Sequence, residues 1–169
     1  SLYRKLPYDP VKDFVPLAMV ASVPFVLVVN ATVPARNLAE LASLVQAKPS
    51  AYASAGNGTM HHLAGEMFKN VARLDLAHVP YKGGAQAIND LIAGHVHLMF
   101  ESLNSISPTA KGGKVRAHGV SGPRRSPAFP ELPTIAEAGV PGYDAGTWSG
   151  VIAPAGVPRP IVEKLNAAI

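Results

Sequence analysis

Short apolar segments alternate with segments of helical periodicity along almost the whole chain, and 16 prolines and 15 glycines separate them. The clearest strand signal is the run 24–29, which is apolar at every position and predicts a strand buried on both faces. The clearest helix signal follows it, where Asn37 can cap a helix that buries Leu41 and Val45. This repeated alternation predicts an α/β fold with a mostly parallel sheet and right-handed crossovers.

The same patterns predict the remaining elements. Predicted strands cover residues 50–54, 76–79, 96–100, 115–120 and 146–153, and predicted helices cover residues 59–70, 85–93, 107–112 and 158–169. In the helix after Thr59, the side chains expected on the buried face are Leu63, Met67 and Val71.

Local signals mark where several helices begin and end. Gly94 follows the last periodic residue of one predicted helix and is expected to end it. Thr134 and Glu137 have the spacing of a capping box, which predicts a brief helix there.

Composition excludes several classes of protein. Hydrophobic residues make up 48% and charged residues 15% of the 169, as in a folded globular chain. The net charge of +4 is spread thinly, with Arg124-Arg125 as the tightest basic group, so no nucleic-acid partner is expected. Cysteine is absent, which rules out disulfides and thiolate metal sites within the sequence. No apolar run reaches membrane length, and we expect a protein that is not membrane-embedded.

Ligands of such sheets bind beyond the carboxyl ends of the strands. Three predicted strand-to-helix loops lie there, at residues 55–59, 80–84 and 101–107. These loops are the first places to look for a binding site.

The first loop reads Ser54-Ala55-Gly56-Asn57-Gly58-Thr59. Its glycines allow close approach of the backbone to a ligand, and the following helix start offers unpaired N–H groups and the positive end of a dipole. Side-chain donors at Ser54, Asn57 and Thr59 would complete a neutral cradle for an anion such as a carboxylate. The alternative is a tight turn in which Thr59 is an ordinary helix cap. Nucleotide-binding motifs do not fit, because no G-x-x-x-x-G-K-[ST] is present and position 61 is His.

The other two loops add fewer candidates. Near the second loop's helix start, Tyr81 and Gly83 are better candidates for ligand contact than Lys82, because lysine is usually solvated. In the third loop, Glu101 either accepts hydrogen bonds from a ligand or is a structural acceptor that holds the loops together.

Catalytic and metal-binding signals are weak. His95 and His97 have i, i+2 spacing, but a pair without further ligands is more typical of surface or capped histidines, and we expect neither a metal nor a cofactor. No G-x-S-x-G motif is present for a serine nucleophile, and no carboxylate pair suits glycoside hydrolysis. The chain is therefore predicted to bind and not to catalyse.

Several segments, in order along the chain, resemble the Bug or TctC-like receptors of the tripartite tricarboxylate transporter family. The matching stretches are Tyr3 to Pro10 with Asp13-Phe14, Tyr52 to Gly58 with His62 to Glu66, His78 to Gly83, Pro133 to Gly139 with Pro141 to Tyr143, and Trp148 with Ala153 to Gly156.

The resemblance implies an extracytoplasmic, periplasmic receptor with two α/β lobes in the Venus-flytrap arrangement of periplasmic binding proteins. Its ligand would be a small organic acid such as a di- or tricarboxylate, an amino acid or an aromatic acid, and its partners the permease subunits of a tripartite transporter. The implied ligand-binding residues are those of the first loop, Ser54 to Thr59, together with Tyr81, Gly83 and Glu101. Glu101 stands where the family usually has Asp.

The resemblance also implies a division of the chain. Residues 23–143 correspond to the second, ligand-gripping lobe, and residues 1–22 and 144–169 to parts of the first lobe. The signal peptide, the ligand loop of the first lobe and the family's last elements would lie outside these 169 residues. Two alternatives remain open at this stage, namely a periplasmic carboxylate sensor and, less favoured, an α/β enzyme acting on a small acid.

Overall fold

The computed structural model of the chain describes residues 5–169. Residues 1–4, where the predicted first-lobe segment and the family motif at Tyr3 and Arg4 begin, lie outside the described residues. Within the described part, six strands and five helices follow in the order β1 (Phe14–Asn30), α1 (Leu38–Ala47), β2 (Ser50–Ser54), α2 (Met60–Val71), β3 (Leu76–Pro80), α3 (Gly84–Ala93), β4 (Leu98–Ser102), α4 (Leu103–Lys111), β5 (Val115–Val120), β6 (Gly146–Pro154) and α5 (Arg159–Ala168). None of the helices in residues 5–169 is both long enough and apolar enough to cross a bilayer.

Two compact units make up the described residues. The larger unit is Pro24–Gly146, and the smaller combines the described residues up to Val23 with Thr147–Ile169. Strand β1 contributes its first part to the smaller unit and its second part to the larger.

The larger unit is an α/β sheet with the strand order β3-β2-β4-β1-β5. Strand β2 pairs in parallel with β3 and β4, whereas β1 is antiparallel to both of its neighbours, β4 and β5. The α/β class is confirmed, but the sheet is mixed because one inner strand runs against the others. The direction of β1 could not be predicted from the sequence. An all-apolar segment indicates burial on both faces, and this pattern is the same for a parallel and an antiparallel strand.

Helices cover both faces of this sheet, and the second part of β1 is buried as predicted. Phe25 and Leu27 belong to the apolar cluster that includes α1 and α2, and Val26 and Val28 belong to the cluster that includes α3 and α4. This alternation follows from the two-residue period of a strand.

Local end signals are confirmed at several helices. The Asn37 side chain accepts a hydrogen bond of 2.9 Å from the Glu40 N–H and caps α1, and Gly94 ends α3 with a φ of 82°. Thr134 and Glu137 exchange both capping-box hydrogen bonds, of 2.9 and 3.0 Å, but they close a turn and not a helix.

Helix α2 turns a different face to the sheet from the one that its apolar residues predict. The prediction was wrong for Leu63 and Val71, which are 47% and 39% exposed, while Met67 is half-buried. The buried residues of the helix are Ala64, Gly65 and Phe68.

The reason for this rotation is the contact between Gly65 and Tyr52 of β2. A Cβ atom at Gly65 would lie 2.2 Å from Cε2 of the Tyr52 ring, so the ring occupies the space that a side chain would need. Tyr52 is 0% exposed, and its ring stacks against that of His78, so the ring cannot move aside without disturbing its neighbours. The glycine face of α2 therefore packs on the sheet in preference to the Leu63 face.

In the smaller unit, β6 pairs with β1. Strand β6 and the helix α5 that follows it are both elements that the sequence predicts. Several large apolar side chains of this unit are exposed in the described structure, among them Met19, Trp148, Ile152, Ile161 and Leu165.

A β-bulge interrupts the pairing of β1 with β5. Leu27 is opposite Gly119 and Val28 is opposite Ala117, so His118 is the extra residue. His118 is 4% exposed, and neither ring nitrogen has a hydrogen-bond partner among the described residues. Burial, with a further contribution from Arg116 and an opposing one from Glu40, lowers the pKa of His118 from 6.5 to about 4.

We expect the Gly65→Ala substitution to destabilise the larger unit. Alanine gains about 1 kcal/mol of helix propensity, but overpacking against the Tyr52 ring costs about 1–3 kcal/mol, and the contact of 2.2 Å places this site at the upper end. Urea unfolding measures the difference. Gly122→Ala is the matched control, because its Cβ would meet nothing closer than 3.8 Å, and equal stability of the two variants would contradict the packing argument.

Acid is expected to weaken the fold through His118. The unfolded chain takes up the proton near pH 6.5 and the folded chain only near pH 4, so stability is fully present above this window and falls as the pH is lowered through it. Within this window, the free energy of unfolding changes by up to about 1.4 kcal/mol per pH unit. In urea unfolding at a series of pH values, the free energy of unfolding should depend less on pH in His118→Leu than in the unmodified protein. The exposed residue His95 provides the control variant His95→Leu, and an unchanged slope in His118→Leu would refute the assignment.

Candidate functional site

The carboxyl ends of β2, β3 and β4 lie along one edge of the sheet, because these strands are parallel. We call residues 54–59 the Gly-Asn-Gly loop and residues 80–84 the Tyr-Lys-Gly-Gly loop. The Tyr81 N–H donates a hydrogen bond of 2.9 Å to the Ser54 carbonyl, and a Cβ at Gly56 would lie 3.2 Å from the Tyr81 carbonyl oxygen. The two loops are therefore in direct contact, and Gly56, with φ of 130°, has neither the room nor the conformation for a side chain.

Hydrogen bonds inside the Gly-Asn-Gly loop use two of the predicted ligand donors. The Ser54 hydroxyl oxygen accepts a bond of 3.1 Å from the Gly56 N–H, and the Thr59 hydroxyl donates one of 2.7 Å to the Gly56 carbonyl. Ser54 is fully buried, whereas the Asn57 side chain is exposed. In this structure the hydroxyls of Ser54 and Thr59 therefore shape the loop, and Asn57 offers the free polar side chain.

Two neighbouring helices begin here without a side-chain cap. Thr59 occupies the N-cap position of α2, as the tight-turn alternative predicts, but its side chain makes no capping hydrogen bond. Gly83 occupies the N-cap position of α3 and has no side chain with which to cap. The first-turn N–H groups of both helices, which have no partner within a helix, are consequently not capped by these residues.

Tyr81 and Gly83 lie together in the Tyr-Lys-Gly-Gly loop. The Tyr81 hydroxyl donates a hydrogen bond of 2.7 Å to Oδ2 of Asp90 on α3. Burial raises the pKa of Tyr81, with a smaller contribution from Asp90, and the same hydrogen bond lowers the pKa of Asp90. Gly83 has a φ of 135° with open space where a Cβ would be, so its requirement for glycine is conformational. The Lys82 side chain is exposed.

Glu101 lies at the end of β4 and not in a loop, because β4 runs to Ser102 and α4 begins at Leu103. The predicted loop 101–107 therefore does not exist. The Glu101 side chain is 4% exposed, and its Oε1 accepts a hydrogen bond of 2.8 Å from the Ser102 N–H. A Cβ at Gly84 would lie 3.1 Å from Oε2, so this carboxylate also contacts the start of α3.

His61 completes the site, although the sequence patterns did not predict it as a site residue. Its Nε2 lies 3.2 Å from both carboxylate oxygens of Glu101, and its ring meets the Phe25 ring edge-on at 5.0 Å. The available signal was its position in the first turn of a helix that begins beside the loop, since helical side chains lean toward the N-terminus. Glu101 thus contacts α2 through His61, the start of α3 at Gly84, and Ser102 immediately before α4. These contacts favour the alternative in which Glu101 is a structural acceptor.

The other histidines named in the sequence do not form a ligand set. His97 Nδ1 accepts a hydrogen bond of 3.2 Å from the Ala51 N–H, and His95 Nδ1 lies 3.5 Å from Asp90. Within residues 5–169, no cluster of three or more His, Asp or Glu side chains is arranged to hold a metal ion.

The fold class is that of periplasmic solute-binding proteins. The solved structure described as Rhodopseudomonas palustris Rpa4515 with adipate shares 39% identity with this chain at a TM-score of 0.88, covering 98% of this chain and 56% of the other. MatC (Rpa3494) from the same organism, described with bound malate, shares 36% identity at a TM-score of 0.85, covering 99% of this chain and 57% of the other.

The family model of the tripartite tricarboxylate transporter family receptor matches residues 1–169, and the chain belongs to this family. A UPF0065 protein in the tcbD-tcbE intergenic region of a Pseudomonas species is 44% identical over 99% of this chain and 51% of its own length. BugT of Bordetella pertussis is 35% identical over 100% of this chain and 52% of its own length. The chain thus spans about half the length of the curated relatives that it matches.

The contacts of Glu101 predict how two substitutions will differ in stability. Glu101→Leu removes the acceptor of the partly buried Ser102 N–H and the partner of His61, so we expect a loss of about 1–3 kcal/mol in the free energy of unfolding. Glu101→Gln keeps an oxygen for the Ser102 N–H and should lose less. Urea unfolding near neutral pH distinguishes them, and a Leu variant as stable as the Gln variant would show that the acceptor is dispensable.

Proposed function

We propose that the protein is an extracytoplasmic receptor that captures a small organic carboxylate for uptake by a tripartite tricarboxylate-type transporter. Its family membership supports the receptor role, and the adipate and malate described for two similar structures support the ligand class. In this proposal the receptor is periplasmic and delivers its ligand to the membrane subunits of the transporter.

One observation carries the proposal, namely the two uncapped helix starts at the same edge of the sheet. The starts of α2 and α3 are held together by the hydrogen bond from Tyr81 to Ser54, and neither has a side-chain cap. Helix N-termini offer backbone N–H groups and partial positive charge, which suit a carboxylate. The grip would therefore depend on backbone donors, with the mild positive charge of the chain assisting the approach of an anion.

Each predicted site residue takes a specific part in this proposal. The backbone N–H groups of Ala55, Asn57 and Gly83 present donors, and the Asn57 amide adds a side-chain donor. Gly56 and Gly58, both with positive φ, give the loop its conformation. The residues that maintain this arrangement are Ser54, Thr59, Tyr81 and Glu101.

We also propose that the larger unit, Pro24–Gly146, is the ligand-gripping lobe. It contains every residue of the proposed site, and both glycine-containing loops belong to its sheet edge. The smaller unit would belong to the other lobe of the receptor.

The test is calorimetric titration of the protein with adipate and malate, with hexanoate as a matched acid that has one carboxylate. We expect binding of at least one dicarboxylate, and a Kd about tenfold weaker, or about 1.4 kcal/mol, in the Asn57→Ala, Thr59→Ala double variant. The loss follows from removal of the Asn57 donor and of the hydrogen bond from Thr59 to Gly56.

Ser43→Ala, an exposed change on α1, is the control and should bind as the unmodified protein does. If no carboxylate binds, the receptor proposal is wrong. If carboxylates bind equally well to the double variant, the ligand contacts lie elsewhere.

A further inference from the structure

Three aromatic rings form a stack behind the Gly-Asn-Gly loop. The His78 ring lies between two others, with its centroid 4.9 Å from that of Tyr52 and 4.1 Å from that of His62. The two imidazoles are nearly parallel, at an interplanar angle of 9°. No part of this stack belongs to the ligand contacts proposed above.

Each imidazole holds a different residue of the loop. His62 Nδ1 accepts a hydrogen bond of 3.0 Å from the Gly58 N–H, which requires this nitrogen to carry no proton. His78 Nε2 lies 2.6 Å from the Ser54 hydroxyl oxygen, and that oxygen accepts the Gly56 N–H. The turn containing Asn57 is therefore fixed on both sides by histidines.

Protonation of His62 would break one of these attachments. The added proton sits on Nδ1, where it faces the Gly58 N–H and turns an acceptor into a second donor. The Gly58 amide then loses its partner, and the turn loses the contact that orients it. A positive charge on His62 also faces the His78 ring at 4.1 Å, so the two rings cannot both be charged without mutual repulsion.

The charged and titratable groups around the stack are few. Glu66 accepts a hydrogen bond of 2.7 Å from the Tyr52 hydroxyl and pairs with Lys69 at 3.8 Å. Burial lowers the pKa of His78, with His62 and Lys69 adding to the decrease and Glu66 opposing it. The stack thus favours a neutral His78.

We infer that His62 is a positioning residue whose protonation loosens the Gly-Asn-Gly loop, so that the receptor holds its carboxylate at neutral pH and releases it as the medium becomes acidic. The inference deepens the proposed function and rests on it for the release of ligand. The change in the loop itself requires no ligand.

The experiment compares three forms of the protein, namely the unmodified chain, His62→Asn and the control His95→Asn. The Asn oxygen can stand close to the position of Nδ1, so His62→Asn keeps an acceptor for the Gly58 N–H but cannot be protonated. His95 is an exposed histidine, with 70% of its side chain accessible, and its replacement removes one titrating ring without touching the stack.

The first measurement is the amide resonance of Gly58, followed by ¹⁵N NMR from about pH 7.5 to about pH 5 without ligand. We expect the Gly58 resonance to change with pH in the unmodified chain and in His95→Asn, and not to change in His62→Asn. A Gly58 resonance that is independent of pH in the unmodified chain, or that still titrates in His62→Asn, would overturn the inference.

The second measurement is calorimetric binding of adipate at about pH 7.5 and about pH 5.5. We expect the affinity of the unmodified chain to fall about tenfold more than that of His62→Asn, while protonation of adipate itself affects both equally. Equal losses would refute control of the ligand by His62. If adipate and malate bind to neither form but Gly58 titrates as expected, the proposed function fails while the loop switch stands.

Discussion

The contact between the Tyr52 ring and Gly65 is the constraint on which the rest of the larger unit depends. Because the ring fills the space of a side chain at Gly65, helix α2 can lie close to β2 only through its glycine face. That placement sets the start of α2, and with it the Gly-Asn-Gly loop, at the edge of the sheet. The same ring donates its hydroxyl to Glu66 and supports His78 from behind, so one buried tyrosine joins the core to the proposed site.

The buried carboxylate of the proposed site is already engaged by neighbouring residues. The buried carboxylate of Glu101 is occupied by the Ser102 N–H and by His61, so it serves the junction of three helices. The free donors are backbone N–H groups at helix starts, whose orientation is fixed by the fold.

The sequence predicted features that depend on neighbours along the chain. The Asn37 cap, the end of α3 at Gly94 and the exchange of bonds between Thr134 and Glu137 are all local, and all formed. One failure, the missing side-chain cap at Thr59, is also local, but the others described next required tertiary knowledge. The exposed Leu63 could not be foreseen without the Tyr52 ring, nor the role of His61 without knowing that β4 brings Glu101 beside α2. The direction of β1 was likewise hidden, because a strand buried on both faces carries no sign of its polarity.

The antiparallel position of β1 has a consequence for how the chain folds. Val26 pairs with Glu101 on one side and with Val120 on the other. Strand β1 therefore pairs with two strands that are synthesised much later than itself. Strands β2 and β3, by contrast, are close in sequence and can pair early. Such distant pairing slows folding and leaves an apolar segment exposed in the growing chain. Until β4 and β5 have been made, the apolar segment from Phe25 to Val29 lacks the two strands that pair with its edges.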